Sequence, residues 1–353
     1  MKKVKICPEC GVPKRISKEN RWQDNGAILT FDSDKVTARE RSAFYEVAGL
    51  NELFRNIEAL IGKSIFRIIV EARRKDILGF LEEYLSGIKG VLARSIGSRI
   101  VYNSVATIGA TFGLGHFEVQ DIRRGEYFTV YCKNVYSVPL LAGDLLAAFN
   151  AVERLPATFD QEEVKDGLLC TISRGDKEET VLSSRLEPVY IAPKPGTIHF
   201  DRCAKCDTLL YMKDIIYDYE EGIITDKHTG RRMTFLSTSN MEAIFREFEV
   251  ELGEEIIPVI LAAQKEYAQN TLRSEEITSE SDVRNFFAIR GLGKLTDYDL
   301  SGNRLEVKMD NAYPYLLVVG LLHGMFEVLT GREGKLSYTK DEDESLQISI
   351  EAV

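Results

Sequence analysis

Apolar residues along this chain recur first at helical spacing and then at strand spacing, and the whole progression is run through twice. Over residues 42–60 they fall three and four apart, as at Leu50, Leu53, Phe54, Ile57 and Leu60, and residues 240–252 repeat the habit. Gly62 and Gly253 interrupt the two segments. A second helix is predicted over 64–85, with Ile65, Ile68, Ile69, Ala72, Leu78, Leu81 and Leu85 on one broad face. Its counterpart covers 256–272, where Pro258 is tolerable only near the first turn. A third, shorter helix precedes each Gly-Leu-Gly, the first at Gly113 to Gly115 and the second at Gly291 to Gly293.

Beyond each Gly-Leu-Gly the period falls to two. Residues 116–122 and 126–132 flank Arg123-Arg124-Gly125, and 294–300 and 304–309 flank Ser301-Gly302-Asn303, so both regions read as β-hairpins. A helix apolar almost all round follows, 140–152 in one case and 316–329 in the other, and such a helix must be buried on most sides. Strands close each run: 168–173 with 180–185, then 335–339 with 345–350, the latter separated by the acidic stretch 341–344. Ahead of the helices lie short segments with a glycine turn, 22–30 and 215–226, and the alternation of Ile215, Tyr217 and Tyr219 favours strand. Helices, hairpin, buried helix and further strands make an α+β unit, an antiparallel sheet packed by helices.

Identities between the two runs follow in order. Cys7, Cys10 and Gly26 match Cys203, Cys206 and Gly222 at an offset of 196. Phe54-Arg55 and Gly62 match Phe245-Arg246 and Gly253 at 191, and the Gly-Leu-Gly blocks match at 178. Asn134, Tyr136, Gly143 and Phe149 match Asn311, Tyr313, Gly320 and Phe326 at 177. An offset that falls in steps is what loop insertions between two tandem copies produce. The organisation expected is a first Cys-bearing segment at 1–35 and a first α+β domain at 36–187. A Pro-rich linker at 188–199, with Pro188, Pro193 and Pro195, leads to a second Cys-bearing segment at 200–234 and a second domain at 235–353.

The two Cys-bearing segments carry the chemistry. Cys7-Pro-Glu-Cys10 and Cys203-Ala-Lys-Cys206 are C-x-x-C pairs, and four thiolates in two such pairs close a tetrahedral zinc site. Zinc ribbons place the second pair roughly 15–20 residues after the first, whereas here 192 residues intervene (203 − 10 − 1). One pair per copy, brought together about a pseudo-twofold axis, accounts for that gap and predicts one shared structural Zn2+. Two separate half-sites, a redox-active pair, and a site completed by another chain remain open alternatives. Cys132 and Cys170 fall on predicted strands and read as buried, inert thiols. His116 and His323 match Lys294 and Leu146 in the other copy, so each reads as a satisfied histidine, while His199 and His228 are reserve ligands near the second pair. The clusters Arg73-Arg74-Lys75 and Arg231-Arg232 read as solvated. No Ser-His-Asp set or paired-carboxylate arrangement stands out, and Gly113-x-Gly115 lacks the third glycine and the following helix of a dinucleotide site.

Composition narrows the partners. A net charge of −10 offers no basic field for a nucleic-acid backbone. The longest apolar run, 315–322, is far shorter than the roughly 20 residues of a membrane span. The chain reaches its first Cys pair at residue 7 without an apolar stretch, so no secretory signal is expected. Paired thiols then fit a cytoplasmic, reducing setting.

Gly113-Leu-Gly-His-Phe-Glu-Val, Asn134-x-Tyr136 and the block from Leu140 through Gly143 to Phe149 resemble the 4-vinyl-reductase (4VR) or hydrocarbon-binding domain. The second copy shows the same pattern in Gly291-Leu-Gly, Asn311-x-Tyr313 and the block through Gly320 to Phe326. The resemblance covers roughly 40–187 and 235–353. It implies the α/β unit shared with TRAPP-type vesicle-transport subunits, a homodimeric habit, and a small apolar or aromatic ligand held between helices and sheet. Tyr102, Phe112, Tyr136, Phe149, Tyr313 and Phe326 are the candidate pocket residues, although aromatics at such spacings equally make plain core. Sensor relatives carry a cysteine cluster near the end of the domain, where this chain has only Cys170 and, in the second copy, Gln347. The function expected is therefore a non-enzymatic, zinc-containing binder of a small apolar ligand. The alternatives are an enzyme or accessory factor in tetrapyrrole or aromatic metabolism, and a ligand-free oligomeric scaffold.

Overall fold

The computed structural model describes residues 4–31, 38–86, 97–176, 181–186, 191–341 and 345–353. In chain order, α1 (Lys14–Glu19) leads to β1 (Asn20–Trp22), β2 (Ile28–Phe31), β3 (Ala38–Glu46), α2 (Val47–Ile61), α3 (Phe66–Tyr84) and α4 (Ser98–Thr111). Then come β4 (His116–Arg123), β5 (Tyr127–Lys133), α5 (Val138–Glu153), β6 (Ala157–Val164), β7 (Gly167–Arg174) and α6 (Val181–Arg185). A 3-10 turn (Leu210–Asp214) opens the next run: β8 (Ile215–Asp218), β9 (Ile223–Asp226), β10 (Arg232–Ser237), α7 (Thr238–Leu252), α8 (Ile256–Thr271) and α9 (Glu280–Ile289). The chain closes with β11 (Lys294–Ser301), β12 (Arg304–Asp310), α10 (Tyr315–Thr330), β13 (Gly334–Lys340) and β14 (Leu346–Ala352). The fold is α+β with antiparallel sheets packed by helices, and among the described residues no helix is long and apolar enough to cross a membrane.

Two compact units result, and they interleave the chain. One is built from Met1–Ile6, Ser64–Pro188 and Asp214–Thr234, the other from Cys7–Lys63, Val189–Lys213 and Phe235–Val353. In the first, strands order as β4-β5-β7-β6, and α3 and α5 pack along one another. Phe128, Val130, Cys132, Cys170 and Ile172 from the sheet meet Leu141, Ala148, Phe149 and Val152 from α5, with Leu81 and Tyr102 beside them, in one apolar core. Gly143 lets the helices close: a Cβ there would lie 2.6 Å from the Cβ of Arg73. The hairpin β8–β9 belongs to this unit. Arg232 on β10 donates to the carbonyls of Gly113 and Asn134, Thr234 donates to that of Phe112, and Asn134 donates to the Glu221 carboxylate at 2.7 Å.

The second unit has the sheet order β11-β12-β14-β13, and α10 packs on α8 at Gly320, where a Cβ would lie 2.6 Å from that of Gln264. Its remaining strands, β1-β2-β3, come from the N-terminal segment. Trp22 Nε1 donates to the Ile289 carbonyl at 2.8 Å, and Arg41 donates to the Asn311 carbonyl at 2.7 Å. The Arg290 guanidinium pairs with Glu46 at 2.5 Å, both side chains fully buried. The stretch expected to be a linker is stitched to this unit where it is described: Lys194 N–H donates to Asn311 Oδ1, Asn25 Nδ2 to the Lys194 carbonyl, and Ile198 N–H to the Asp24 carbonyl, all at 2.7 Å. Residues 188–190 of that stretch lie outside the described residues, as do 342–344 of the acidic one.

Two assignments differ from the pattern-based expectation. Residues 42–46 are strand, not the start of a helix: Ser42 pairs with Ile28, and Ser42, Ala43, Phe44, Tyr45 and Glu46 are all buried. A strand covered on both faces shows no alternation, so its apolar residues merged with the helical pattern after them. Residues 181–185 form the short helix α6 where a strand was expected, and residue 180 lies outside the described residues. The partner of β7 is instead β6, which the pattern missed because Asp160 to Glu163 at this sheet edge are polar on both faces.

Gly222 sits so close to Gly115 that an added Cβ would collide with the Gly115 carbonyl, whereas Gly62 shares its left-handed φ but has open space beside it. Gly62→Ala is expected to cost about 1 kcal/mol, the backbone preference alone. Gly222→Ala should cost roughly 3 kcal/mol or more, because backbone must also move. Urea titrations of the two variants give the comparison, and equal losses would refute the close-approach argument.

Candidate metal centre

Each Cys pair is shaped by its own backbone before any side chain is considered. Around the first, Cys7 N–H donates to the Val12 carbonyl at 2.8 Å and Gly11 N–H donates to that of Cys7 at 3.0 Å. The second repeats this, Cys203 N–H to Thr208 and Asp207 N–H to Cys203, both at 2.9 Å. Both loops require a left-handed residue after the second cysteine: Gly11 has φ 76° and Asp207 φ 58°. Glycine adopts that conformation freely, and aspartate is among the few side chains that tolerate it. The loops rest on buried Val12, Ile16, Leu209 and Met212. Arg202, between the second pair and the first hairpin, donates to the Trp22 carbonyl at 2.8 Å and to Asp24 at 2.9 Å.

The four sulfurs converge. Cys7 Sγ lies 3.9 Å from Cys203 Sγ, Cys10 Sγ lies 3.6 Å from Cys206 Sγ, and the four sulfurs lie within 4.8 Å of one another. Thiolates about 2.3 Å from a tetrahedral ion stand roughly 3.8 Å apart, so the cluster has the size a metal requires. Cys7 and Cys203 are buried, while Cys10 and Cys206 are half-exposed. Amide donors, first that of Cys10 and then that of Glu9, draw the Cys7 thiol down to about 7 against the effect of burial. Burial pushes Cys10 and Cys206 up. One thiolate is thus favoured before an ion arrives, and an ion's charge would favour ionisation of Cys10 and Cys206 against their burial.

The other sequence candidates stand apart from this cluster. His116 Nε2 lies 2.9 Å from Glu118, and His228 Nε2 lies 3.5 Å from Asp214. His199 is exposed. His323 Nε2 donates to the Gly334 carbonyl at 2.8 Å with Glu327 at 3.2 Å, and burial lowers its pKa. Cys132 and Cys170 are fully buried on adjacent strands, and their mutual hydrogen bond, with burial, keeps Cys132 protonated. Of the aromatic candidates, Tyr102, Tyr136, Phe149, Tyr313 and Phe326 are buried and Phe112 is half-buried. Tyr102 stacks on Phe128 at 4.3 Å, Phe128 faces Phe149 at 6.3 Å, and Arg41 lies 5.0 Å above the Tyr313 ring.

A buried charge cluster escaped the sequence reading. Arg73, expected in solvent, is buried between α3 and α5, with Nε donating to Asp144 at 2.7 Å and Nη1 to Asp76 at 3.1 Å. Tyr136 donates to the other Asp144 oxygen at 2.7 Å. Burial raises Asp144, but both its oxygens are engaged, which makes it a lock between helices and not a free base. The signal was present: Arg73 and Asp76 fall at helical spacing from Ile69 on the apolar face, and Asp144 interrupts an otherwise apolar helix.

No protein-family model matches the chain. No curated protein matches it either. Among solved structures it is similar to a Cs H-NOX mutant with the unnatural amino acid 4-cyano-L-phenylalanine at site 5, at 12% identity over 33% of this chain and 74% of that one. The TM-score of 0.24 is too low to carry an argument.

Removal of one ligand tests the cluster. Cys203→Ser is expected to abolish metal retention, while Cys132→Ser should leave it intact, as read by elemental analysis of the desalted protein. Metal retained by the Cys203 variant would show that the four sulfurs do not act as one site.

Proposed function

We propose that this chain is a non-enzymatic, cytoplasmic binding module, two diverged copies of a 4VR-like domain joined by one structural Zn2+, and that it holds a small apolar or aromatic ligand beside α5 or α10. The convergence of Cys7, Cys10, Cys203 and Cys206 carries the reading. Four protein thiolates fill a tetrahedral ion, leaving no position for substrate or water, which suits a structural role. Four sulfurs favour zinc, with iron the competitor for the same geometry. Ligand thiols need a reducing compartment, which supports the cytoplasm.

Support for duplication comes from recurrence. The sheet orders β4-β5-β7-β6 and β11-β12-β14-β13 correspond, and each hairpin is followed by a buried helix. Left-handed backbone recurs at Gly113 and Gly291, Gly115 and Gly293, and Asn134 and Asn311. The ligand rests on the resemblance and on the apolar surroundings of α5 and α10, where such molecules gain most from leaving water. A ligand-free scaffold is the second reading, favoured by the close stack of Tyr102 on Phe128 and by the tie of Tyr136 to Asp144.

Native mass spectrometry of the purified protein, with elemental analysis, separates these. One zinc per chain with a reproducible apolar adduct is the expected result. A clean zinc-only mass transfers the weight to the scaffold, and two metal ions or none would end the shared-site reading.

A further inference from the structure

The unit that contains the metal centre is completed by a segment that the chain delivers from far away. Every tie of Cys7–Lys63 to the rest of that unit spans a long stretch of sequence. Trp22 reaches Ile289, Arg41 reaches Asn311, Arg290 reaches Glu46, and Asn56 Nδ2 reaches Glu266 at 3.0 Å. Gly293 N–H donates to the Gly26 carbonyl at 3.0 Å, and the Cys7 and Cys10 sulfurs meet those of Cys203 and Cys206. The next helix, α3, lies in the other compact unit. The segment leaves at residues 62–64, which are exposed, and Gly62 there holds a left-handed φ of 66° with nothing within 4 Å of an added Cβ.

We propose that the same metal centre forms between two copies of this chain, Cys7 and Cys10 of one meeting Cys203 and Cys206 of the other, by exchange of the segment Cys7–Lys63 about residues 62–64. The inference rests on the reading of the four cysteines as one metal site. Nothing in the docking surface records which chain supplies the segment: the hydrogen bonds, the Glu46–Arg290 pair and the four thiolates are the same in either case. The chain passes between the two units at Ile6–Cys7 and again at the exposed turn 62–64, so these two points must change while exchange keeps the contacts of the segment and adds the cost of association. A tethered segment competes at an effective concentration of order millimolar, so the single chain dominates in dilute solution and exchange grows when folding occurs at high protein concentration. The exchanged pair is closed, because each copy gives one segment and receives one.

Complementation between two full-length variants tests this. Cys7→Ser/Cys10→Ser and Cys203→Ser/Cys206→Ser each lack half of the ligands, and neither should retain zinc alone. Mixed in denaturant with chelator and refolded together with zinc chloride, they are expected to yield a species of twice the chain mass carrying one zinc. Wild-type chain treated identically at high concentration should give a dimer with two zincs beside the monomer, and this readout does not depend on the variants folding. If wild type takes up one zinc per chain yet stays monomeric at every concentration, and the mixed variants take up none, the exchange is overturned while the metal centre stands. Failure of the wild type to take up zinc overturns both.

Discussion

The convergence of sulfurs 196 positions apart in sequence is the constraint from which the rest of this architecture follows. Closing so long a loop costs on the order of 5 kcal/mol in chain entropy. A structural zinc contributes roughly 10–16 kcal/mol in small peptides, so such an ion at this point would offset the closure with a margin. Backbone geometry prepares the site independently on each side, through the matched hydrogen bonds that turn Cys7 and Cys203 inward. Once the pairs meet, the first hairpin lies beside the glycines at 291 and 293, and Trp22, Arg41 and Glu46 come within reach of partners near the other end of the chain.

That arrangement gathers the sulfurs at one place and the buried charges at others. Four sulfurs offer a metal a full set of protein ligands, and two of the buried carboxylates carry cationic partners. Asp144 is held by Arg73 and Tyr136, and Glu46 by Arg290. These groups fix helices against one another in the interior, where a lone charge would be costly and a paired one gives the packing a single register.

Much of this was legible in the residues. The two C-x-x-C pairs, placed one in each run of the repeated pattern, pointed to four sulfurs close enough to bind a metal, and the change of period after each Gly-Leu-Gly located both hairpins and both buried helices within a residue or two. Failures fell where burial departs from simple amphipathicity. Strand β3 is covered on both faces and so lost its alternation, while β6 lies at a sheet edge and is polar on both. Arg73 looked solvated because its neighbours Arg74 and Lys75 are charged, yet its own place on the helix faces α5. The interleaving of segments between the two units had no local signature, since it is a property of which distant partner each segment meets.

The buried pair of Glu46 and Arg290 bears on that last point. Glu46 and Ser237 are both the residues preceding a helix, α2 and α7, and Arg290 and Phe112 both precede a Gly-Leu-Gly. Were β3 displaced from this place, the Glu46 carboxylate and the Arg290 guanidinium would each lose the partner they have here. Two uncompensated buried charges amount to a penalty of several kcal/mol. The ion pair thus works as a lock with one key: it admits the end of β3 beside the end of α9 in a single register.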